Sequence, residues 1–376
     1  MNNIILGAGM TGLAAGYKTG WPVYEATDKA GGICRSYYKE GFKFDVGGTH
    51  WIFGNGEAVD FIKSLVPLKT YERKAGVYFN KIFPYPIQTY TQKEIVATEG
   101  YFKHWLGNKF SPAECNMFFN PFNEKYTAGL YDEIIQFDAY KTPPPGTEGY
   151  VPVFHDPVDG LDSLVGKLTS KCKINFNNRA VAIDTLKKQI IFHVGDEESL
   201  EWVKYDKLVS TIPLDMLLKF CGKEDYDLPY SSVLVLNIGA KPGRNLPQEH
   251  WLYIPFCKTG FYRVGFYTNV DNTRAPSGMV GLCVEMAFRG VEYEELDIDY
   301  ITYHVTQELQ SWGWIGDVVT TDPTWVPCAY TWNRTNEERE KHLEWLKERD
   351  IISIGRYGLW KFQGLAESIQ QGLACA

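Results

Sequence analysis

Residues 4–36 read IILGAGMTGLAAGYKTGWPVYEATDKAGGICRS. An apolar run leads into Gly7-Ala8-Gly9-Met10-Thr11-Gly12, an Ala- and Gly-rich stretch follows, and a second apolar run ends at Glu25. Strand, glycine turn, helix and second strand are the order of a βαβ unit. In that order each glycine has its own steric task. Gly7 makes the tight turn, Gly9 lets a phosphate approach the backbone, and Gly12 lets helix and strand pack closely. The helix N-terminus then offers unpaired N–H groups and the positive end of its dipole to an anion. Glu25, closing the second strand, is placed to accept from a ribose hydroxyl. Gly7, Gly9, Gly12 and Glu25 are therefore expected to hold a dinucleotide. The spacing is unusual, because the acid follows Gly12 after 13 positions where ~20 is common. The shortfall is about two turns at ~3.6 residues each. Two readings stay open: a loop deletion with binding intact, or a dinucleotide site that has decayed.

Working outward, GNGEAVDFIKSLVP (54–67) has helical spacing at Val59, Ile62 and Leu65, with Asn55 as cap and Pro67 as stop. Residues 70–158 become aromatic-rich and irregular, including FPYPIQTY and KTPPPG, which suits an inserted helical and loop region that shapes a pocket. GLDSLVGKL (160–168) is a short helix, INFNNRAVAIDTLKKQIIFHV alternates like strands, and YDKLVSTIPLDMLLKF reads strand, turn, helix. SSVLVLNIGAK, HWLYIPF, GFYRVGFYT and MVGLCVEMAF then form successive strands of one antiparallel sheet. Ile298, Ile301, Val305, Leu309 and Trp312 mark an amphipathic helix begun by Asp297 and Asp299 and followed by Gly313. IISIG and LAESIQQGLACA close the chain as strand and helix.

The 376 residues carry a net charge of −8, a pI near 5.5, 44% hydrophobic and 15% aromatic residues. A chain of this length buries a substantial core in two domains, or in one with a large insertion. It has no global basic field for nucleic acid or an anionic membrane, so an anionic ligand must be held by local Arg, Lys or backbone N–H groups. The 8 cysteines are scattered without a CxxC pair, so neither a metal site nor a disulfide framework is expected, and a reducing compartment is. The apolar start lacks a basic n-region and no apolar run approaches the ~20 residues of a membrane span, so a cytoplasmic protein is expected.

Residues 25–53, EATDKAGGICRSYYKEGFKFDVGGTHWIF, combine an acid, GG, a basic residue and an aromatic-flanked FDVGG. This resembles the flavoproteins that include amine oxidases, protoporphyrinogen oxidase and UDP-galactopyranose mutase. Later segments look most like the mutases. PYPIQ (84–88) is similar to their PYPFQ, which implies that Tyr85 and Gln88 lie near a nucleobase. PFNEKY (121–126) resembles PYNxKxW and marks Asn123 as a contact to the diphosphate-sugar, with Glu124 and Lys125 read as an ion pair or a helix face. WLYIPFCKTGFYR (251–263) implies pocket roles for Trp251, Tyr253, Tyr262 and Arg263, and CAYTW places Tyr330 at a diphosphate-binding tyrosine. GRYGLWKF (355–362) resembles GRFGxWRY. It adds Gly355 and Arg356 on the cofactor side with Gly32, Arg35 and Gly48, and Tyr357 and Trp360 on the substrate side.

The resemblance runs in motif order through nearly the whole chain. It implies an α/β fold: a Rossmann-like FAD/NAD(P)-binding-type domain (1–69, 159–220 and 340–376), the inserted helical region 70–158, and an antiparallel β-sheet substrate domain (221–339). Three departures lie along the cofactor's path: the short first helix, an extra Thr49 between Gly48 and His50, and a shortened KFQGLAESIQQG lacking the family's Asn-Gln pair. Phe362 replaces a substrate-binding Tyr. The family's second, mobile-loop arginine has only Lys103 or Lys109 as stand-ins, point charges rather than forks.

What the resemblance implies is a mutase that interconverts pyranose and furanose forms of a UDP- or GDP-linked hexose with reduced FAD and no net redox. Arg263 would stabilise the departing diphosphate, and His50 would order the flavin or move protons between sugar hydroxyls. Without the flavin, the same pocket could work with a divalent metal on the diphosphate. An FAD-dependent oxidase of amines or porphyrinogens and a non-catalytic nucleotide-sugar-binding protein are the alternatives.

Overall fold

The computed structural model describes residues 2–85, 101–135, 151–195 and 199–375; Gln88 and the proline run at 143–145 lie outside them. The strand Asn3–Leu6 is flanked by Val23–Tyr24 and Lys207–Ser210, and Ile174–Asn175 and Ile351–Ser353 complete a five-stranded sheet. Every pairing in it is parallel. Such a sheet needs cover on both faces. Helices Met10–Thr19, Glu57–Leu65, Leu161–Thr169 and Leu365–Leu373 meet one face through Leu13, Val59, Leu164 and Ile369. Helix Leu214–Phe220 and a three-stranded antiparallel sheet of Asn178–Asp184, Gln189–Val194 and Ser199–Lys204 meet the other through Leu217, Ile190 and Phe192. The helix Glu57–Leu65 begins at Gly56 with no side-chain cap, so Asn55 does not serve as one.

The first helix has 10 residues and ends at Gly20 in the left-handed region, from which the chain turns straight into the next strand. Close approach makes up for its length. A Cβ on Gly372 of the last helix would lie 2.3 Å from the Thr11 carbonyl oxygen, so the two helices touch backbone to backbone.

A second sheet has seven strands, in the order Ile315–Thr331, Tyr230–Pro242, Val280–Phe288, Arg263–Phe266, Trp251–Tyr253, Ala75–Tyr78, Ile82–Pro84. All its pairings are antiparallel except Trp251–Tyr253 with Ala75–Tyr78. The last two strands come from the segment 70–158, read from its irregular composition as helices and loops. That reading is corrected: the segment supplies a sheet edge, where Pro84 needs no ladder donor, as well as helices Phe102–Lys109 and Asn120–Tyr126. The long strand Ile315–Thr331 escapes a period-two reading because register shifts break its pairing. Leu236, Leu252, Val264 and Val284 turn one face of this sheet onto Val305 and Leu309 of helix Ile298–Ser311. Val77, Val235, Tyr253 and Cys283 turn the other toward Phe118, Phe122, Tyr126 and Trp332. No helix of the described residues is long and apolar enough to cross a membrane.

A buried ion cluster joins distant segments. Arg274 pairs with Asp45 at 3.1 Å and Asp156 at 2.7 Å, with the Trp51 and Tyr267 rings each 5.4 Å from its guanidinium. One guanidinium faces two carboxylates. Burial pushes the Asp156 carboxyl up to about 6 against the pull of Arg274, and Asp45 adds to the rise. Lys43 stands close by, its own pKa lowered by burial and by Arg274. The native state thus holds a proton that the unfolded chain has already released, and its contribution to stability falls as pH rises through that window. In urea melts the wild type should lose stability relative to Asp156→Asn as the pH goes from about 4 to about 6; parallel curves would contradict this.

Candidate functional site

The glycine turn has the steric form its spacing requires. A Cβ on Gly12 would lie 1.9 Å from the Gly7 carbonyl oxygen, whereas one on Gly9 would meet no heavy atom within 4 Å. The space over Gly9 is open, and helix Met10–Thr19 starts there without a side-chain cap, which leaves its first N–H groups for an anion. Gly32 approaches from the second glycine pair, its added Cβ 3.4 Å from Gly9 Cα, and Arg35 Nε donates to the Gly32 carbonyl at 2.8 Å. Glu25 accepts the Ala8 N–H at 2.8 Å on one oxygen and the Thr27 N–H and hydroxyl at 3.0 and 2.9 Å on the other. The short helix therefore still delivers the acid to the turn, where it braces the loop.

In the large sheet, Tyr253, Arg263, Glu285 and Val235 are successive register partners, so their side chains share a row on one face. Arg263 meets Glu285 as a fork, Nε to Oε1 at 2.8 Å and Nη2 to Oε2 at 2.6 Å, and the Tyr262 hydroxyl donates to the same carboxylate at 2.7 Å. The Arg263 side chain is 17% exposed and that of Glu285 2%, so the carboxylate is sealed while the guanidinium keeps some open surface. Burial opposes the charge on Arg263, but Glu285 together with Tyr330, Tyr262 and Tyr253 outweighs it and raises the pKa. Burial also pushes the Tyr262 and Tyr330 phenols up, which keeps them protonated donors. From this row the rings run on: Tyr85 to Tyr253 at 4.5 Å, Phe122 to Tyr253 at 5.0 Å, Tyr126 to Tyr262 at 5.4 Å and Tyr126 to Tyr330 at 4.7 Å.

The Gly47–Gly48–Thr49–His50 loop leans on the same carboxylate, for a Cβ on Gly48 would lie 3.2 Å from Glu285 Oε1. His50 Nδ1 is 2.9 Å from the Gly48 carbonyl oxygen. A carbonyl only accepts, so the neutral ring carries its proton on Nδ1 and keeps Nε2 as an acceptor. Burial lowers the His50 pKa while the Gly48 bond opposes, so the ring is neutral at pH 7. The extra Thr49 seats against Gly265, where a Cβ would come 2.7 Å from Thr49 Cγ2. A glycine two residues beyond Arg263 absorbs the insertion.

Arg356 closes the other end. Its guanidinium lies 5.0 Å from the Tyr330 ring and 4.7 Å from that of Phe362, and donates to the Ala329 and Gln363 carbonyls at 3.1 and 3.4 Å. Its Nε is buried without a partner, as is Gln363 Oε1, and Arg356 makes no ion pair among the described residues. The Tyr357 hydroxyl is 3.5 Å from the Ala329 carbonyl, and Gly355 abuts Thr11 of the first helix.

Of the residues expected at the substrate, Tyr85, Tyr253, Tyr262, Arg263 and Tyr330 lie along one continuous wall. Trp251 reaches it through Arg73, whose guanidinium is 5.2 Å from the Trp251 ring and 5.6 Å from that of Tyr85. Asn123 is buried and donates back to the Phe119 carbonyl of its own segment at 2.7 Å. Trp360 is enclosed in a different core, its Nε1 donating to the Trp332 carbonyl at 3.0 Å, which leaves it no surface for a ligand. Lys103 pairs with Asp132 at 3.3 Å, and the Lys109 side chain is not among those described. Glu285 escaped the sequence reading. Its signal is one carboxylate in the otherwise apolar MVGLCVEMAF, on the same face as Cys283. Among the described residues no group of three or more His, Cys, Asp or Glu could hold a metal ion.

No protein-family model matches the sequence, and no curated protein matches it. Solved structures do. Reduced UDP-galactopyranose mutase superposes with a TM-score of 0.86 over 100% of this chain and 94% of that one, at 23% identity. A fatty acid isomerase from P. acnes that produces CLA gives 0.68 over 99% and 97% at 15% identity. Putrescine oxidase bound to putrescine gives 0.65 over 99% and 97% at 15% identity. The chain therefore has the fold shared by UDP-galactopyranose mutase and the amine oxidase group, as its motifs suggested.

The residues fit a dinucleotide such as FAD: open backbone at Gly9, an uncapped helix start, an acid at the end of the second strand, and an Arg356 whose buried Nε has no partner and which has no counter-charge among the described residues. Gly9→Ala should leave the thermal midpoint of ligand-free protein unchanged but lower the FAD retained per chain after loading and dialysis, read from flavin absorbance. Equal retention would contradict a phosphate over Gly9. Glu285→Ala strands the Arg263 charge and should destabilise the protein by about 3–5 kcal/mol in urea unfolding; a variant as stable as wild type would contradict the buried pair.

Proposed function

We propose that this protein is a nucleotide-sugar mutase, interconverting pyranose and furanose forms of a UDP- or GDP-linked hexose without net redox. The observation that carries the reading is the Arg263 row: a forked guanidinium among the phenols of Tyr253, Tyr262 and Tyr330, with Arg356 at the far end of the wall. An amine or an apolar substrate has no use for a guanidinium held in place among phenols. A diphosphate does. The likeness in fold to UDP-galactopyranose mutase supports the same reading.

The parallel-sheet half would act as a Rossmann-like cradle for FAD. Gly9 and the first helix would hold the pyrophosphate, Glu25 the ribose, and Gly48, Gly355 and Arg356 would line the path toward the sugar. The chemistry that reduced FAD supplies when bound is nucleophilic, directed at the anomeric carbon. The chain's own residues do the rest. Arg263 offers its remaining N–H groups to the leaving diphosphate, and Glu285 keeps it from swinging away. Tyr253 and Tyr330 bring neutral phenols to bear on phosphate oxygens, while the Tyr262 hydroxyl stays on Glu285. His50 Nε2 takes a proton from a sugar hydroxyl as the ring opens and returns it on closure, which suits a reaction run in both directions. The enclosing rings exclude water, which would otherwise hydrolyse the freed anomeric carbon.

NMR of the purified protein incubated with UDP- and GDP-hexoses, with and without reduced FAD, tests the proposal. A furanose product is expected; oxygen-dependent amine oxidation without any furanose would overturn it. Arg263→Ala should weaken UDP binding by about 1.5–3 kcal/mol, the range for a charged hydrogen bond. Unchanged affinity in a calorimetric titration would remove Arg263 from the site.

A further inference from the structure

The helix Asn120–Tyr126 grips the large sheet with three side chains. Phe122 and Tyr126, one turn apart, meet the Tyr253 and Tyr262 rings at 5.0 and 5.4 Å. Lys125 is neither a helix-face charge nor half of a pair with Glu124. It turns inward, and Nζ donates to the carbonyl oxygens of Ile254 and Phe261, the latter at 2.7 Å, and to Cys257 Sγ at 3.5 Å. An ammonium has three N–H donors, and these contacts use all of them.

The two carbonyls are well chosen. Ile254 follows Tyr253 and Phe261 precedes Tyr262, and between them the Ile254 N–H donates to the Tyr262 carbonyl at 2.8 Å. The cation therefore draws together both ends of the loop 254–262. From the opposite side Glu308 accepts the Lys258 and Thr259 N–H groups at 2.8 and 3.0 Å and the Thr259 hydroxyl at 2.7 Å, holding the loop's tip. Burial lowers the Lys125 pKa, with Cys257 and Glu308 opposing, so the charge is kept there at some expense. Apolar contact alone could close the loop. What an ammonium on fixed acceptors adds is direction and spacing.

We infer that Lys125 is a positioning residue: by holding the Ile254 and Phe261 carbonyls it sets the spacing of Tyr253, Tyr262 and Arg263, and through them the grip on a nucleotide's diphosphate. The second half of this rests on the pocket reading proposed above.

Lys125→Met keeps the length of the side chain and removes its donors. Amide hydrogen exchange across 254–262, measured without ligand, should speed up roughly tenfold, while the five-stranded parallel sheet exchanges as in wild type. Unchanged loop exchange overturns the latch, whatever the pocket binds. Titration with UDP should show roughly tenfold weaker binding by Lys125→Met, and wild-type affinity overturns the positioning role. If the wild type itself does not bind UDP, the pocket reading fails and the exchange result still decides the latch. Should Lys125→Met not fold, Lys125→Ala with added propylammonium replaces it. Saturable recovery of slow exchange and UDP affinity is expected, which a merely structural loss would not give; a folded variant that the amine leaves unchanged overturns the inference.

Discussion

A carboxylate sealed inside a β-sheet persists only where every part of its charge is answered, and Glu285 is such a group. Its oxygens take the Arg263 fork and the Tyr262 hydroxyl, and the Gly48 turn rests against it. Much of what gives the site its chemistry follows from that. Arg263 cannot swing outward without stranding the carboxylate, so its free N–H groups are held in place before any ligand arrives. Preorganised donors of this kind stabilise developing charge without paying for reorganisation during the reaction. The pairing also sets the local charge. Glu285 offsets Arg263, while Arg356 adds a positive charge that no carboxylate among the described residues pairs with.

The same economy of space governs the glycine turn. The missing helical turns do not detach the acid from the glycine loop, because Glu25 still accepts from Ala8. The last helix compensates by touching the first at Gly372. Thr49, an insertion beside the histidine, is taken up by Gly265. Two of the three departures from the family's pattern are thus absorbed by backbone contacts that leave the open space over Gly9 untouched. Beside the third, the shortened segment after Trp360, Arg356 and Gln363 carry buried unpartnered atoms.

What could be read beforehand divides along physical lines. Period-two and period-3.6 patterns reveal elements that bury one face, so the βαβ start, the strands around Val235, Val264 and Val284, and the helix ending near Trp312 were legible. Motif order named Tyr85, Tyr253, Tyr262, Arg263 and Tyr330, and the fold gathers them along one wall. Pattern is blind to where a side chain turns once it is inside. Arg356 and Trp360 share a motif, yet one lines the wall and the other is enclosed in another core. Lys125 reads as half of an ion pair or a helix-face charge but is spent on backbone carbonyls. Ala75–Tyr78 carries too few residues to show a period, and it joins the sheet because Trp251–Tyr253 offers a parallel edge.

The central claim is that a sugar nucleotide's diphosphate lies against the outer N–H groups of Arg263. A crystal structure of the protein with UDP bound tests it most directly. The account predicts phosphate oxygens within hydrogen-bond reach of Arg263 and of the Tyr253 or Tyr330 phenol, with the Glu285 fork intact. UDP bound elsewhere, or Arg263 engaged by Glu285 alone with the wall empty, would contradict it.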